Sequence, residues 1–268
     1  MFKALIMKMP LIIHGIFFLS LLQFSVSLNA QKKFSITPED SSALENVIVE
    51  KYYIADSTDY ADTTGGIFPK GSVTYRIYID MKPGYSLMMV YGDKEHQLYL
   101  KTSTTFFNNR ACLAMTGFNI GYKGLNKNTV ALDSWITLGA ASRIHTGILK
   151  SDDKDGSILT RASLSKADGF TDGITPTFKT YNLDLSFFKD KENASLFSTN
   201  DGSWYCLEGV KGPTADNRVL IAQLTTNGTL SFELNVQFRT PKGSAVQFVA
   251  KNPIDAMIPQ IQFNGLKY

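Results

Sequence analysis

Three acidic side chains at equal spacing, Asp56, Asp59 and Asp62, stand in "YYIADSTDYADTTGG" (residues 52–66). Calcium loops alternate their oxygen ligands so that successive ones turn inward, and a spacing of three does not do this. That spacing suits a helical face, but the Thr and Gly content and the preceding strand-like run oppose a helix. The stretch is therefore expected to be an exposed connector. "SDDKDGSIL" is a better calcium candidate. Ser151, Asp153, Asp155, Gly156 and Ile158 follow the early spacing of an EF-hand loop, with Ala162 where the bidentate Glu belongs. A looser Ca²⁺ site through Asp153 and Asp155 is the metal expectation, against an ordinary Asp-Gly turn with solvated charges. No other cofactor is expected.

Glycoside hydrolysis needs two carboxylates at a set separation, and Asp80, Glu95, Asp133, Glu208 and Glu233 are available in the sequence. His96 and His145 are the histidines beyond the first thirty residues, and neither lies near a G-x-S-x-G nucleophile turn. Both read as surface polar residues. There is no phosphate-cradling glycine loop and no dinucleotide fingerprint. Trp135 in "LDSWITLG" and Trp204 in "NDGSWYC" each follow an Asp and a Ser. With Tyr122 they are the candidate sugar-stacking rings; the competing reading makes both tryptophans core anchors. Cys112 and Cys206 form an even pair that suits a disulfide, while their apolar neighbours suit buried, reduced thiols equally.

The elements that must hold these residues are strands. "RVLIAQLTTNGTLSFELNVQF" alternates Leu230, Phe232, Leu234, Val236 and Phe238 against Ser231, Glu233, Asn235 and Gln237. Asn227-Gly228 predicts a tight antiparallel hairpin there. "SVTYRIYIDM" alternates in the same way, and "YSLMMVYG", "HQLYLKTSTTFF" and "ENVIVEKYYI" read as further strands. Asp-Gly pairs punctuate the second half as turns. No stretch keeps helical periodicity for three turns. The expected fold is all-β, an antiparallel two-sheet β-sandwich of jelly-roll type, with a β-barrel as the alternative.

Residues 1–30 read as a signal peptide: Lys3 and Lys8, then the apolar run "LIIHGIFFLSLLQF", with the small residue Ala30 closing the segment before Gln31. The run is shorter than the about 20 residues of a membrane span. Residues 31–268 are expected to form one β-sandwich domain. Removing the leader takes two Lys and no acid, so the formal charge falls from +3 to +1. A near-neutral chain gives no electrostatic basis for binding nucleic acid or an anionic membrane. No membrane span is expected once the leader is removed.

"VTYRIYIDMKPGYSLMMVYGDKEHQLYLKTSTTFFNN", "LDSWITLGAAS" and "DNRVLIAQLTTNGTLSFELNVQ" together resemble an uncharacterised family of exported, Bacteroidetes-like bacterial β-domains. That family is related to the N-terminal regions of type IX secretion cargo proteins. The resemblance implies export to the periplasm, cell surface or medium. It also implies O-glycosylation at Asp-Ser/Thr motifs, here Ser57 in "DST" and Thr63 in "DTT". The functional expectation is a secreted, non-catalytic β-sandwich with a binding or structural role at or outside the cell envelope. Its partner would be a glycan or another envelope protein. A glycan-binding module and a β-sandwich glycoside hydrolase are the alternatives.

Overall fold

The computed structural model describes residues 35–127, 129–154, 167–189 and 194–268. Strands in chain order are β1 (Leu44–Ile54), β2 (Val73–Met81), β3 (Ser86–Gly92), β4 (Leu98–Thr102) and β5 (Trp135–Ile136). There follow β6 (His145–Gly147), β7 (Phe170–Asp172), β8 (Lys179–Tyr181), β9 (Leu196–Thr199) and β10 (Gly202–Val210). The last five are β11 (Arg218–Thr226), β12 (Leu230–Glu233), β13 (Asn235–Arg239), β14 (Ala245–Val249) and β15 (Gln260–Gln262). Two α-helical turns, α1 (Pro38–Ser41) and α2 (Ser57–Ala61), flank β1. Among the described residues no helix is long and apolar enough to cross a membrane.

Two sheets dominate. One has the order β1-β2-β11-β5, and the other β15-β14-β13-β3-β10-β8. A three-stranded sheet, β12-β4-β9, and the ribbon β6-β7 complete the set. Among the described residues the strand pairs are antiparallel except β14 with β15, and a single parallel bridge joins Thr116 to Ile136. Ile77, Ile79 and Leu224 from the first sheet share one core with Val90, Trp204, Val236, Phe238 and Phe248 from the second. This is the expected all-β sandwich, packed face to face through the inward half of each alternating strand.

The alternation of residues 230–238 holds: Leu230, Phe232, Leu234, Val236 and Phe238 all enter the main core. The hairpin does not. β11 pairs with β2 and β5, whereas β12 pairs with β4 and β13 with β3 and β14. The run therefore crosses from one sheet to another at Asn227-Gly228, and bends again near Leu234 to join a third. Neither Asn227 nor Gly228 takes a positive φ. Threonines hold the crossing instead: Thr104 Oγ1 donates to Asn227 Oδ1 at 2.8 Å, and Gly228 N donates to Thr226 Oγ1 at 3.0 Å. A Cβ on Gly228 would stand 2.5 Å from Thr104 Oγ1. Here glycine serves close approach rather than turn geometry.

A second departure concerns β2. Its polar-looking face, Thr74, Arg76 and Tyr78, is as buried as its apolar one. A second core lies on that side of the four-stranded sheet, where Tyr52, Tyr78 and Leu220 meet Phe107, Ile120, Leu132, Trp135 and Phe170. Much of its cover comes from the irregular chain between β4 and β6.

Candidate functional site: an aromatic cleft at a sheet edge

The acidic residues of 52–66 are taken up locally. Ser57–Ala61 is a helical turn capped by Asp56, whose Oδ1 accepts from Thr58 N at 2.8 Å and Asp59 N at 3.2 Å. Asp59 completes the box, its Oδ2 accepting from Asp56 N at 2.9 Å and from the Tyr53 hydroxyl at 2.8 Å. Asp62 Oδ1 accepts from Thr64 N. The spacing of three is thus a helix-capping signature, Asp at the cap and Asp at the third position, which outweighs the unfavourable composition. The purely non-helical connector is corrected, while Ser57 and Thr63 are exposed.

Asp153 is buried, and its Oδ2 accepts the backbone amides of Asp168 at 2.8 Å and Gly169 at 2.9 Å. Asp155 lies outside the described residues. Among the described residues there is no group of three or more His, Cys, Asp or Glu side chains placed to hold a metal ion. Nearby, Arg76 lies wholly buried, donating from Nε to Gln223 Oε1 at 3.0 Å and from Nη1 to Gly169 O at 2.8 Å. Burial pushes the Glu50 carboxyl up, opposed by the Lys150 amide and the Arg76 charge. The hydroxyls of Tyr52 and Tyr78 donate to Asp168 O and Ile148 O. This network fastens the chain around β6 and β7 to the sheet. All its polar partners are internal, so it reads as a structural anchor.

Cys112 and Cys206 are free thiols, so the disulfide alternative is corrected. Cys112 Sγ donates to Asp133 Oδ2 at 3.0 Å, and Asp133 Oδ1 accepts from the amides of Asn109 and Ser134. Burial holds the Asp133 carboxyl well above its usual range, and burial with the Asp133 charge raises the Cys112 thiol. The other candidate carboxylates are dispersed. Asp80 pairs with Arg218 and Glu233 with Lys251, while Glu208 and Glu95 are exposed.

Both histidines are buried, not surface residues. His96 Nε2 sits 3.0 Å from Asn252 O and Nδ1 3.2 Å from Asp93. His145 has Ser142 Oγ at 2.8 Å from Nδ1 and Asp172 Oδ1 at 3.4 Å from Nε2. Those residue types match a Ser-His-Asp relay, but the exposure is reversed: Ser142 is wholly buried and Asp172 is 91% exposed. Ser142 Oγ also accepts the amides of Ile144 and His145, as a turn-closing hydroxyl does. Burial lowers the His145 pKa.

Trp135 and Trp204 are 1% and 0% exposed, so neither can stack on a ligand; they are core anchors. Trp204 Nε1 donates to Thr137 O at 3.0 Å, tying the six-stranded sheet to the chain beyond β5. Tyr122 is exposed and packs edge-on against His145.

The rings that do face a cavity are others. An open cleft of about 570 Å³ is lined by Phe118, Phe178 and Tyr205 together with Thr116, Asn119, Thr177, Lys179, Thr180 and Leu185. Strand geometry explains Tyr205: with Trp204 pointing into the core, its neighbour must face the other way. Tyr205 lies opposite Lys179 of β8, the edge strand. Phe118 and Asn119 belong to a 3-10 turn, Gly117–Asn119, that packs tightly because Gly117 has no Cβ to meet Ala140 O. Thr116 Oγ1 donates to Asn119 Oδ1 at 2.8 Å and orients the amide. Leu185 starts a second 3-10 turn capped by Asp184. The three rings are half-buried, which leaves part of each face open. No carboxylate or imidazole belongs to this lining among the described residues.

The tryptophans stand out in the sequence by residue type, whereas the cleft residues are defined by their relative position in the fold. The available signal was the alternation after Trp204, and the Thr/Lys-rich "TPTFKT" before an edge strand. No family model, curated protein or solved structure matches the chain.

Proposed function

We propose that this is an exported, non-catalytic β-sandwich protein that binds a glycan outside the cytoplasm, through the cleft beside β8. The observation that carries this reading is the lining itself: three half-buried rings set among threonine hydroxyls, one oriented amide and one ammonium. Rings of this kind pack on the apolar face of a pyranose, and short polar groups around them pair with its hydroxyls. A hydrolase would need two carboxylates flanking the bond, and this lining supplies none. Export rests on the leader-like first thirty residues and on the resemblance to exported, Bacteroidetes-like bacterial β-domains.

The test is a glycan array followed by calorimetric titration of any hit, with wild type and Tyr205→Ala. Saccharide binding that falls about tenfold or more in the variant is expected, since one stacked ring contributes on the order of 1–2 kcal/mol. Binding that survives in both Tyr205→Ala and Phe178→Ala would place the site elsewhere.

A further inference from the structure

The register of the six-stranded sheet puts Gln260, Gln247, Gln237, Met89, Tyr205 and Lys179 in a single row across all six strands. The last two also line the cleft, so cleft and row are continuous. The glutamines form a ladder: Gln260 Nε2 donates to Gln247 Oε1 at 3.1 Å, and Gln247 Nε2 to Gln237 Oε1 at 3.0 Å. Gln237 Nε2 in turn reaches Met88 Sδ, and Gln260 Oε1 accepts from Ile254 N. An amide carries two N–H donors and two lone pairs. Gln247 spends one of each on the ladder, Gln260 spends one donor there and one lone pair on Ile254 N, and each keeps one of each. Both are half-buried, and the direction of each amide is fixed by its neighbours. Apart from Lys179 at its end, the row carries no charge.

Building on the glycan reading above, we infer that the ligand is an internal stretch of a linear, hydroxyl-rich polysaccharide lying across the strands. It runs from the rings of the cleft over Met89 to the glutamine ladder. Five strand-to-strand steps of about 4.8 Å give a track of roughly 24 Å, longer than a mono- or disaccharide can cover. The rings supply stacking at one end. Oriented amides supply hydrogen bonds to successive hydroxyls at the other, and their entropy of ordering is already lost before binding.

The experiment titrates β-1,4-linked gluco-, xylo- and N-acetylglucosamine oligosaccharides, from disaccharide to hexasaccharide, against wild type, Gln247→Ala and Tyr205→Ala. Affinity is expected to rise with length in the series that binds. Gln247→Ala should weaken the hexasaccharide about tenfold while leaving the disaccharide unchanged, and Tyr205→Ala should weaken both. Affinity independent of length, or a Gln247→Ala effect that is equal at all lengths or nil, overturns the track and leaves the cleft reading standing. Absence of binding in all three series together with a saccharide hit on the array overturns the track alone, and absence on the array as well overturns both.

Discussion

The guanidinium carbon of Arg76 lies 3.6 Å from the centre of the Tyr52 ring, and both side chains are fully buried. Phe170 covers the same cation at 4.8 Å. A charge removed from water is tolerated because ring faces and two directed hydrogen bonds replace the solvent. Arg76→Ala should cost about 3 kcal/mol or more, since it empties the space between the two rings and removes the donor to Gln223 Oε1, while Gly169 O keeps the Ile148 amide. Arg76→Lys should recover only part, because a point charge lacks the planar fork and stacking face. Urea unfolding measures both, and a loss below about 1 kcal/mol for the alanine variant would show the anchor to be dispensable.

Asp133 links pH to stability. Its folded carboxyl pKa stands above the ordinary value of 3.8, chiefly through burial. Over the window between those two values the native state holds a proton that the unfolded chain releases. Stability from this group is therefore greatest on the acid side and falls as pH rises through the window. Unfolding free energies of wild type and Asp133→Asn should diverge along that slope, with the wild type losing more toward neutral pH. Parallel profiles would refute the assignment.

Both cysteines should react with a thiol reagent in denaturant without any reductant, because neither is bridged. In the native protein Cys112 should lag far behind its denatured rate, its thiol being held protonated by burial and by the Asp133 charge. Ellman titration of wild type and Cys206→Ser separates the two sites, and a single disulfide would abolish the signal in denaturant.

Ser57 and Thr63 both stand on exposed chain, Ser57 as the first residue of α2. If the Asp-Ser/Thr motifs are O-glycosylated, the intact mass of the protein isolated from its native host exceeds that of the bare chain. The excess should fall stepwise in Ser57→Ala and Thr63→Ala. A mass equal to the bare chain excludes the modification.

The cleft depends on Gly117 and on the alternation of β10, so its legibility in sequence was partial. Trp204 was visible as a large ring but not as an inward one, and Tyr205 gains its role only from that inward turn. His96 looked like a surface residue after "GDKE", yet Asn252, far along the chain, closes over it. The capping box at Asp56 and Asp59 could have been read directly, because it is a local rule of spacing.

The sequence by itself determined the strand content and which residues of each strand share a face, because side-chain alternation follows from the pleat of a single strand. It also determined the net charge and the leader-like first thirty residues. Only the tertiary structure decided that Asn227-Gly228 crosses between sheets, that the Arg76 face of β2 is roofed by a second core, and that a ring-lined cleft opens beside β8. Pairing partners and covering layers are set by contacts between residues far apart in the chain. A pattern that says which way a side chain points carries no information about what will meet it there.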